Sequence, residues 1–208
     1  MSKKAILDNH KKLENSIEEI IRYGTDIISN KNLTKFGNTE KNILIESLLL
    51  RGCAHWESFI EKEIIYLINR NSQNFKKYME LESNTKLNLK LVRAILYSDR
   101  YLDFHDIGRN RSYFLKILNK EYNPFPEIND EQIKKINITY AIRNYISHQS
   151  TFSRKRLAQM YKNNYSYSVF QEPGRFLIKK NGKYFENLIH NFTLISFTIR
   201  KYIGVNFE

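Results

Sequence analysis

The sequence has few of the residues that define several common protein classes. It contains a single cysteine, Cys53, in 208 residues. This count excludes a disulfide framework and a structural zinc site built on paired thiolates, and it fits a reducing compartment. Only 7 glycines and 3 prolines are present, which disfavours an all-β chain with many tight turns.

The chain also lacks a long apolar run. The best one, residues 43–50, is interrupted by Glu46 and falls far short of the roughly 20 residues that a bilayer requires. The first two turns carry Asp8, His10 and Glu14, so they lack the uninterrupted apolar core of a signal peptide. We therefore expect a cytoplasmic protein with no membrane partner.

Basic residues and aromatic residues are abundant. The chain has 34 Lys and Arg against 22 Asp and Glu, a net charge of +12. Its 41% hydrophobic content, with 13 Phe and 14 Tyr, is enough for a core, and the length suits one domain over residues 1–208. The positive charge indicates a polyanionic partner, although a solvated Lys-rich surface gives the same balance.

Apolar residues recur at steps of three and four through most of the chain, which predicts helices that each bury one stripe. The predicted helices cover residues 3–30, about 44–70, 74–81, 85–98, 110–120, 129–147, 154–163 and 185–203. The second should have roughly seven turns. A β-hairpin is predicted near 175–185, where the pattern alternates and turns at Asn181-Gly182. The expected fold is an all-α bundle of about five main helices, two of them long, with this small hairpin.

The helix that begins near residue 129 has the clearest start signal. Asn129 can cap the free amides of the first turn while Gln132 reaches back to the cap residue. Ile128 and Ile133 can pack together across the cap. We expect the helix to run to about Ser147.

Signatures of metal or nucleophile chemistry are missing from the sequence. The five histidines fall in no ligand pair at two-, three- or four-residue spacing, and there is no glycine-rich phosphate loop. Cys53 lies between Gly52 and Ala54, where a small buried packing residue is expected. His10 and His190 lie on or beside apolar stripes and are predicted to be in or near the core. We predict no metal and no cofactor.

The end of the capped helix, RNYISH at 143–148, offers another kind of chemistry. The Arg143 guanidinium can hold phosphate oxygens in a bidentate fork, and the His148 imidazole can move a proton near neutral pH. RNA supplies its own nucleophile, the 2′-hydroxyl, so proton transfer and charge stabilisation are enough to cleave it. The alternative is that Arg143 is a surface charge and that His148 interacts with the helix dipole.

The spacing of this pair limits how one site could hold both residues. Five residues turn a regular helix by about 500°, so Arg143 and His148 point about 140° apart. A two-fold axis along the helix would bring both pairs into one cleft, which predicts a homodimer with a composite site. Alternatively the helix unwinds before His148, because the residues around it are poor helix formers.

The string RNYISH resembles the R-x4-6-H signature of the HEPN superfamily, with Asn144 as the polar residue that often follows the arginine. The segment LLLRGCAHWESFIEKEI resembles the long helix of the branch related to RiboL-PSP-HEPN nucleases. The resemblance covers most of the chain as a pattern of helices.

This resemblance implies a metal-independent endoribonuclease that acts as a homodimer and leaves 2′,3′-cyclic phosphate and 5′-hydroxyl ends. Arg143 would stabilise the phosphorane, His148 would be general acid or base, and Asn144 would orient one of them or bind phosphate. Such proteins are commonly toxins of toxin–antitoxin pairs or effectors of phage defence, which implies an antitoxin or regulatory partner. Some relatives have lost catalysis, so a non-catalytic helical module that binds RNA, a nucleotide or a partner protein is the alternative.

Further candidates surround the motif. Glu57, on the second long helix, could contact Arg143 or His148, or it could be a solvated charge. A basic and aromatic segment suited to phosphate contact and base stacking follows the motif, and the alternative for it is an exposed helix whose tyrosines pack locally. Its residues are Arg154, Lys155, Arg156, Tyr161, Tyr165 and Tyr167. A weaker basic cluster comprises Arg100, His105, Arg109 and Arg111.

Overall fold

The computed structural model describes residues 3–29, 37–99 and 107–205, and in this part of the chain it contains nine α-helices and no strand. In chain order they are α1 (Lys3–Ser29), α2 (Asn38–Arg70), α3 (Gln73–Tyr78), α4 (Leu89–Asp99), α5 (Ile107–Ile117), α6 (Asp130–His148), α7 (Thr151–Tyr165), α8 (Pro173–Leu177) and α9 (Lys183–Val205). Two short 3₁₀ turns, Lys120–Tyr122 and Phe125–Glu127, precede α6. The prediction of an all-α fold is confirmed.

Helix α2 is longer than the sequence predicted. It has 33 residues, about nine turns rather than seven. The apolar stripe begins at Leu44, whereas the helix begins at Asn38 with a polar turn that follows Gly37. That turn is exposed, so it needs no apolar stripe, and Glu40 there complements the positive end of the helix dipole.

The predicted hairpin near 175–185 is wrong. This segment contains α8, a turn and the start of α9. Asn181 and Gly182 do have positive φ, 55° and 81°, so the Asn-Gly signal correctly marked left-handed backbone. The amide of Gly182 donates to the carbonyl of Ile178 at 3.0 Å, so the turn ends one helix and leads into the next instead of joining two strands.

The centre of the fold is formed by α1, α2 and α9, which pack against one another. Trp56 of α2 is fully buried and stacks on Phe192 of α9, with ring centroids 5.0 Å apart. Gly52 allows α9 to come close, since a Cβ there would lie 2.8 Å from Ile189 Cδ1. Helix α6 packs on α2 and α9, and α7 packs on α6. Among the described residues, none of the helices combines the length and apolar character needed to span a bilayer.

A polar cluster is buried between α1, α2 and α9. His10 Nδ1 is 2.8 Å from Ser196 Oγ and its Nε2 is 3.4 Å from Glu63 Oε1. Asn9 Nδ2 donates to the same carboxylate oxygen at 2.9 Å. His10, Glu63 and Ser196 are at most 1% exposed. These are the residue types of a hydrolase triad, but no substrate can reach them, so the cluster is structural.

The two histidines predicted near the core have different outcomes. His10 is buried, as predicted. His190 is exposed, because α9 turns its Ile189 and Phe192 stripe inward and leaves the next position facing solvent.

Candidate functional site

The start of α6 is built as the sequence predicted. Asn129 Oδ1 accepts the Gln132 amide at 2.9 Å, and the Asn129 amide donates to Gln132 Oε1 at 3.1 Å. The helix then continues without interruption to His148. The alternative in which the helix unwinds before this histidine is therefore wrong.

A two-residue connection joins α6 to α7. Gln149 has left-handed backbone with φ 46° and ends α6. Ser150 caps α7, because its Oγ accepts the amide of Ser153 at 3.1 Å. This sharp turn places the last turn of α6 beside the first turn of α7.

An open groove of about 310 Å³ lies between these two helix ends. Its lining residues are Ala141, Arg143, Asn144, His148, Ser150, Phe152, Ser153 and Arg156. All three residues predicted for catalysis, Arg143, Asn144 and His148, therefore line one groove. Arg156, from the predicted RNA-binding segment, lines it too.

The geometry of α6 explains how Arg143 reaches the groove. Ala141, Asn144 and His148 follow one another at steps of three and four residues, so they share one helix face. Arg143 starts from the neighbouring face, but its Nη1 donates to Asn144 Oδ1 at 3.1 Å. The long side chain thus turns the guanidinium toward the face that carries His148, and a single chain places both residues in one groove.

The groove is electrostatically positive. Its lining includes Arg143 and Arg156 and contains no carboxylate. The N-terminus of α7 adds partial positive charge and the C-terminus of α6 adds partial negative charge, so the two guanidinium groups determine the sign. The lining therefore suits a phosphate group.

Glu57 does not line the groove. Burial raises the pKa of Tyr140 well above its usual value, and the charge of Glu57 and a hydrogen bond with Glu57 raise it further. The positive charge of Arg143, three residues along α6, acts in the opposite direction. Glu57 and Arg143 therefore both act on the pKa of the buried Tyr140, in opposite directions.

Cys53 is a packing residue, as predicted. Its side chain is 1% exposed, and burial raises the pKa of its thiol. A thiol held in its protonated form is a poor nucleophile.

The segment that follows the motif is divided between surface and core. Arg154 stacks on Phe170 with its guanidinium 4.6 Å from the ring centroid, and Lys155 is exposed without lining the groove. Tyr161 is fully buried and packs on Phe176 at 4.3 Å between ring centroids. For Tyr161, local packing is therefore the correct alternative.

The other two tyrosines join the same aromatic cluster. Tyr165 packs against Phe176 and Tyr184, each at 4.9 Å, and burial raises its pKa to about 12. Tyr167 has the Lys179 ammonium 4.1 Å above its ring. None of the three tyrosines lines the groove.

Phe152 is a groove residue that sequence reasoning missed. It is 75% exposed. The buried stripe of α7 passes through Ser153, Leu157 and Tyr161, and Phe152 precedes it by one position. That offset from the stripe is the signal that could have identified it as an exposed aromatic residue.

The second basic cluster is only partly described. Arg100 and His105 lie outside the described residues. Arg111 donates from Nη2 to the carbonyl of Pro126 at 2.8 Å, so it holds the loop before α6.

The chain was compared with protein-family models, curated proteins and solved structures. None of the three comparisons found a match. Within the described residues, no three His, Cys, Asp or Glu side chains are grouped so that they could hold a metal ion.

Proposed function

We propose that this protein is a metal-independent endoribonuclease that cleaves RNA through the substrate's own 2′-hydroxyl. One observation carries the proposal: Arg143, Asn144, His148 and Arg156 line the same groove. The residues provide a phosphate-binding guanidinium pair and a group able to transfer a proton, the requirements of this reaction. The resemblance to the HEPN motif points to the same chemistry.

In the proposed reaction the 2′-oxygen attacks phosphorus and loses its proton, while the bond to the 5′-oxygen breaks and that oxygen gains a proton. The products are a 2′,3′-cyclic phosphate and a 5′-hydroxyl. Arg143 stabilises the extra negative charge on the phosphorane, and Asn144 positions the guanidinium through its 3.1 Å hydrogen bond. His148 carries one of the two proton transfers as general acid or base.

The second proton transfer supports a dimer. The groove of one chain contains one histidine, whereas the reaction needs both an acid and a base. We propose a homodimer in which the motifs of two copies form a composite site and each copy contributes one His148. The biological role we propose is that of a toxin or an anti-phage defence effector, held inactive by an antitoxin or regulatory protein.

The test is incubation of the purified protein with RNA in excess EDTA, followed by analysis of the product ends. We expect cleavage that leaves 2′,3′-cyclic phosphate and 5′-hydroxyl termini, because no step uses a metal. Arg143→Ala serves as the inactive control, with an expected loss of about 10²–10³-fold. Ends with 5′-phosphate, or RNA binding without cleavage, would contradict the proposal, and the second outcome would favour the non-catalytic binding module.

A further inference from the structure

Phe152 has an unusual place in the groove. It is 75% exposed, more than any other large hydrophobic side chain among the described residues. Apart from Ala141, the other side chains of the lining are polar or cationic, so most of its ring is in contact with solvent and not with the apolar core. An aromatic ring held in water beside cations is typical of a surface that receives a nucleobase.

The helix places this ring next to a phosphate-binding group. Phe152 and Arg156 are four residues apart on α7, so they lie on one face, one turn apart. Arg143 and His148 lie across from them on α6. A nucleotide whose phosphate contacts the arginines would present its base to the ring of Phe152.

We propose that Phe152 stacks on a base of the bound RNA and makes the groove selective for unpaired nucleotides. This inference rests on the proposed function and adds to it a residue that determines specificity. Every base has a π face, so stacking gives affinity without selecting one base. Within a duplex both faces of a base are covered by its neighbours, so a paired strand cannot use the ring.

The experiment measures Kd for a labelled single-stranded oligoribonucleotide and for the same strand annealed to its complement. All variants carry His148→Ala, so that bound RNA stays intact. We expect Phe152→Ala to weaken single-strand binding by about 5- to 150-fold, the equivalent of the 1–3 kcal/mol of one stacked base. Duplex binding should stay within about twofold, and Phe152→Tyr should restore single-strand binding.

The matched control is Phe197→Ala, because Phe197 is also an exposed aromatic residue, at 52%, and does not line this groove. It should bind both RNAs like its parent. Equal single-strand affinity of Phe152→Ala and its parent, with weaker binding by Arg156→Ala, would overturn the stacking role and leave the proposed function standing. If neither the parent nor any variant binds RNA, both the stacking role and the proposed function are overturned.

Phe152 could instead form a contact between two copies of the chain. Sedimentation of Phe152→Ala and its parent at the same protein concentration distinguishes this role from base stacking. If Phe152→Ala changes the oligomeric state, the ring belongs to a contact between copies and the proposal is overturned. An unchanged state, together with the selective loss of single-strand binding, supports it. Because the side chain is exposed, the variant should fold with a stability within about 0.5 kcal/mol of its parent.

Discussion

His148→Ala is expected to lower RNA cleavage by about 10²–10⁴-fold, the usual contribution of a positioned proton donor or acceptor. RNA binding should stay within about twofold, because Arg143 and Arg156 still line the groove. Cleavage rates of a labelled RNA, measured in excess EDTA beside the Kd of each protein, check the prediction. Parallel loss of cleavage and binding would instead assign His148 to substrate binding.

The chain offers a close control for this substitution. His190 is also exposed on a helix, but it lies on α9 and does not line the groove. His190→Ala should therefore cleave at the wild-type rate. A similar loss in both variants would show that the activity does not depend on the groove.

The second large effect concerns the buried polar cluster. Glu63→Ala should lower the free energy of unfolding by about 1–3 kcal/mol, the cost of leaving a buried polar group without its partner. The change removes the partner of His10 Nε2 and one of the two acceptors of Asn9 Nδ2, which keeps the carbonyl of Phe59 at 3.3 Å, and both residues stay buried. For a chain of this size, thermal unfolding should shift down by about 2–12 °C.

Two variants make this stability prediction specific. Glu63→Gln keeps a carbonyl oxygen that can accept from Asn9, so its loss should be smaller than that of Glu63→Ala. Glu18→Ala removes an exposed carboxylate from α1 and should change stability by no more than about 0.5 kcal/mol. Equal melting temperatures for Glu63→Ala and Glu18→Ala would contradict the structural role of the cluster.

The sequence predicts this fold well where helical periodicity is strong. Helices α1, α2, α6 and α9 follow from apolar stripes, and the start of α6 follows from the side chains of Asn129 and Gln132. The prediction of a hairpin was wrong because an Asn-Gly pair specifies only left-handed backbone. A turn with such backbone can follow a helix as well as a strand. Whether such a turn follows a helix or joins two strands is decided by which neighbouring residues are buried, and that depends on the tertiary packing.

The candidate site was predictable in its residues but not in its shape. The RNYISH string identified Arg143, Asn144 and His148, while a regular helix placed the first and last of them on different faces. The hydrogen bond that turns the Arg143 guanidinium toward Asn144 depends on a side-chain rotamer, which periodicity does not contain. The contribution of Arg156 and Phe152 likewise depends on the two-residue turn that brings α7 back beside α6.

In the proposed reaction the nucleophile is the substrate's own 2′-hydroxyl. An RNA that lacks this hydroxyl at one position tests the reaction. A strand with a single 2′-deoxy nucleotide on the 5′ side of a mapped cleavage position is incubated with wild-type protein in EDTA. We expect cleavage at that position to stop, while cleavage at other positions and the affinity for RNA stay unchanged. Cleavage at the deoxy position at the normal rate would show that another nucleophile attacks the phosphate, and would contradict the proposed reaction.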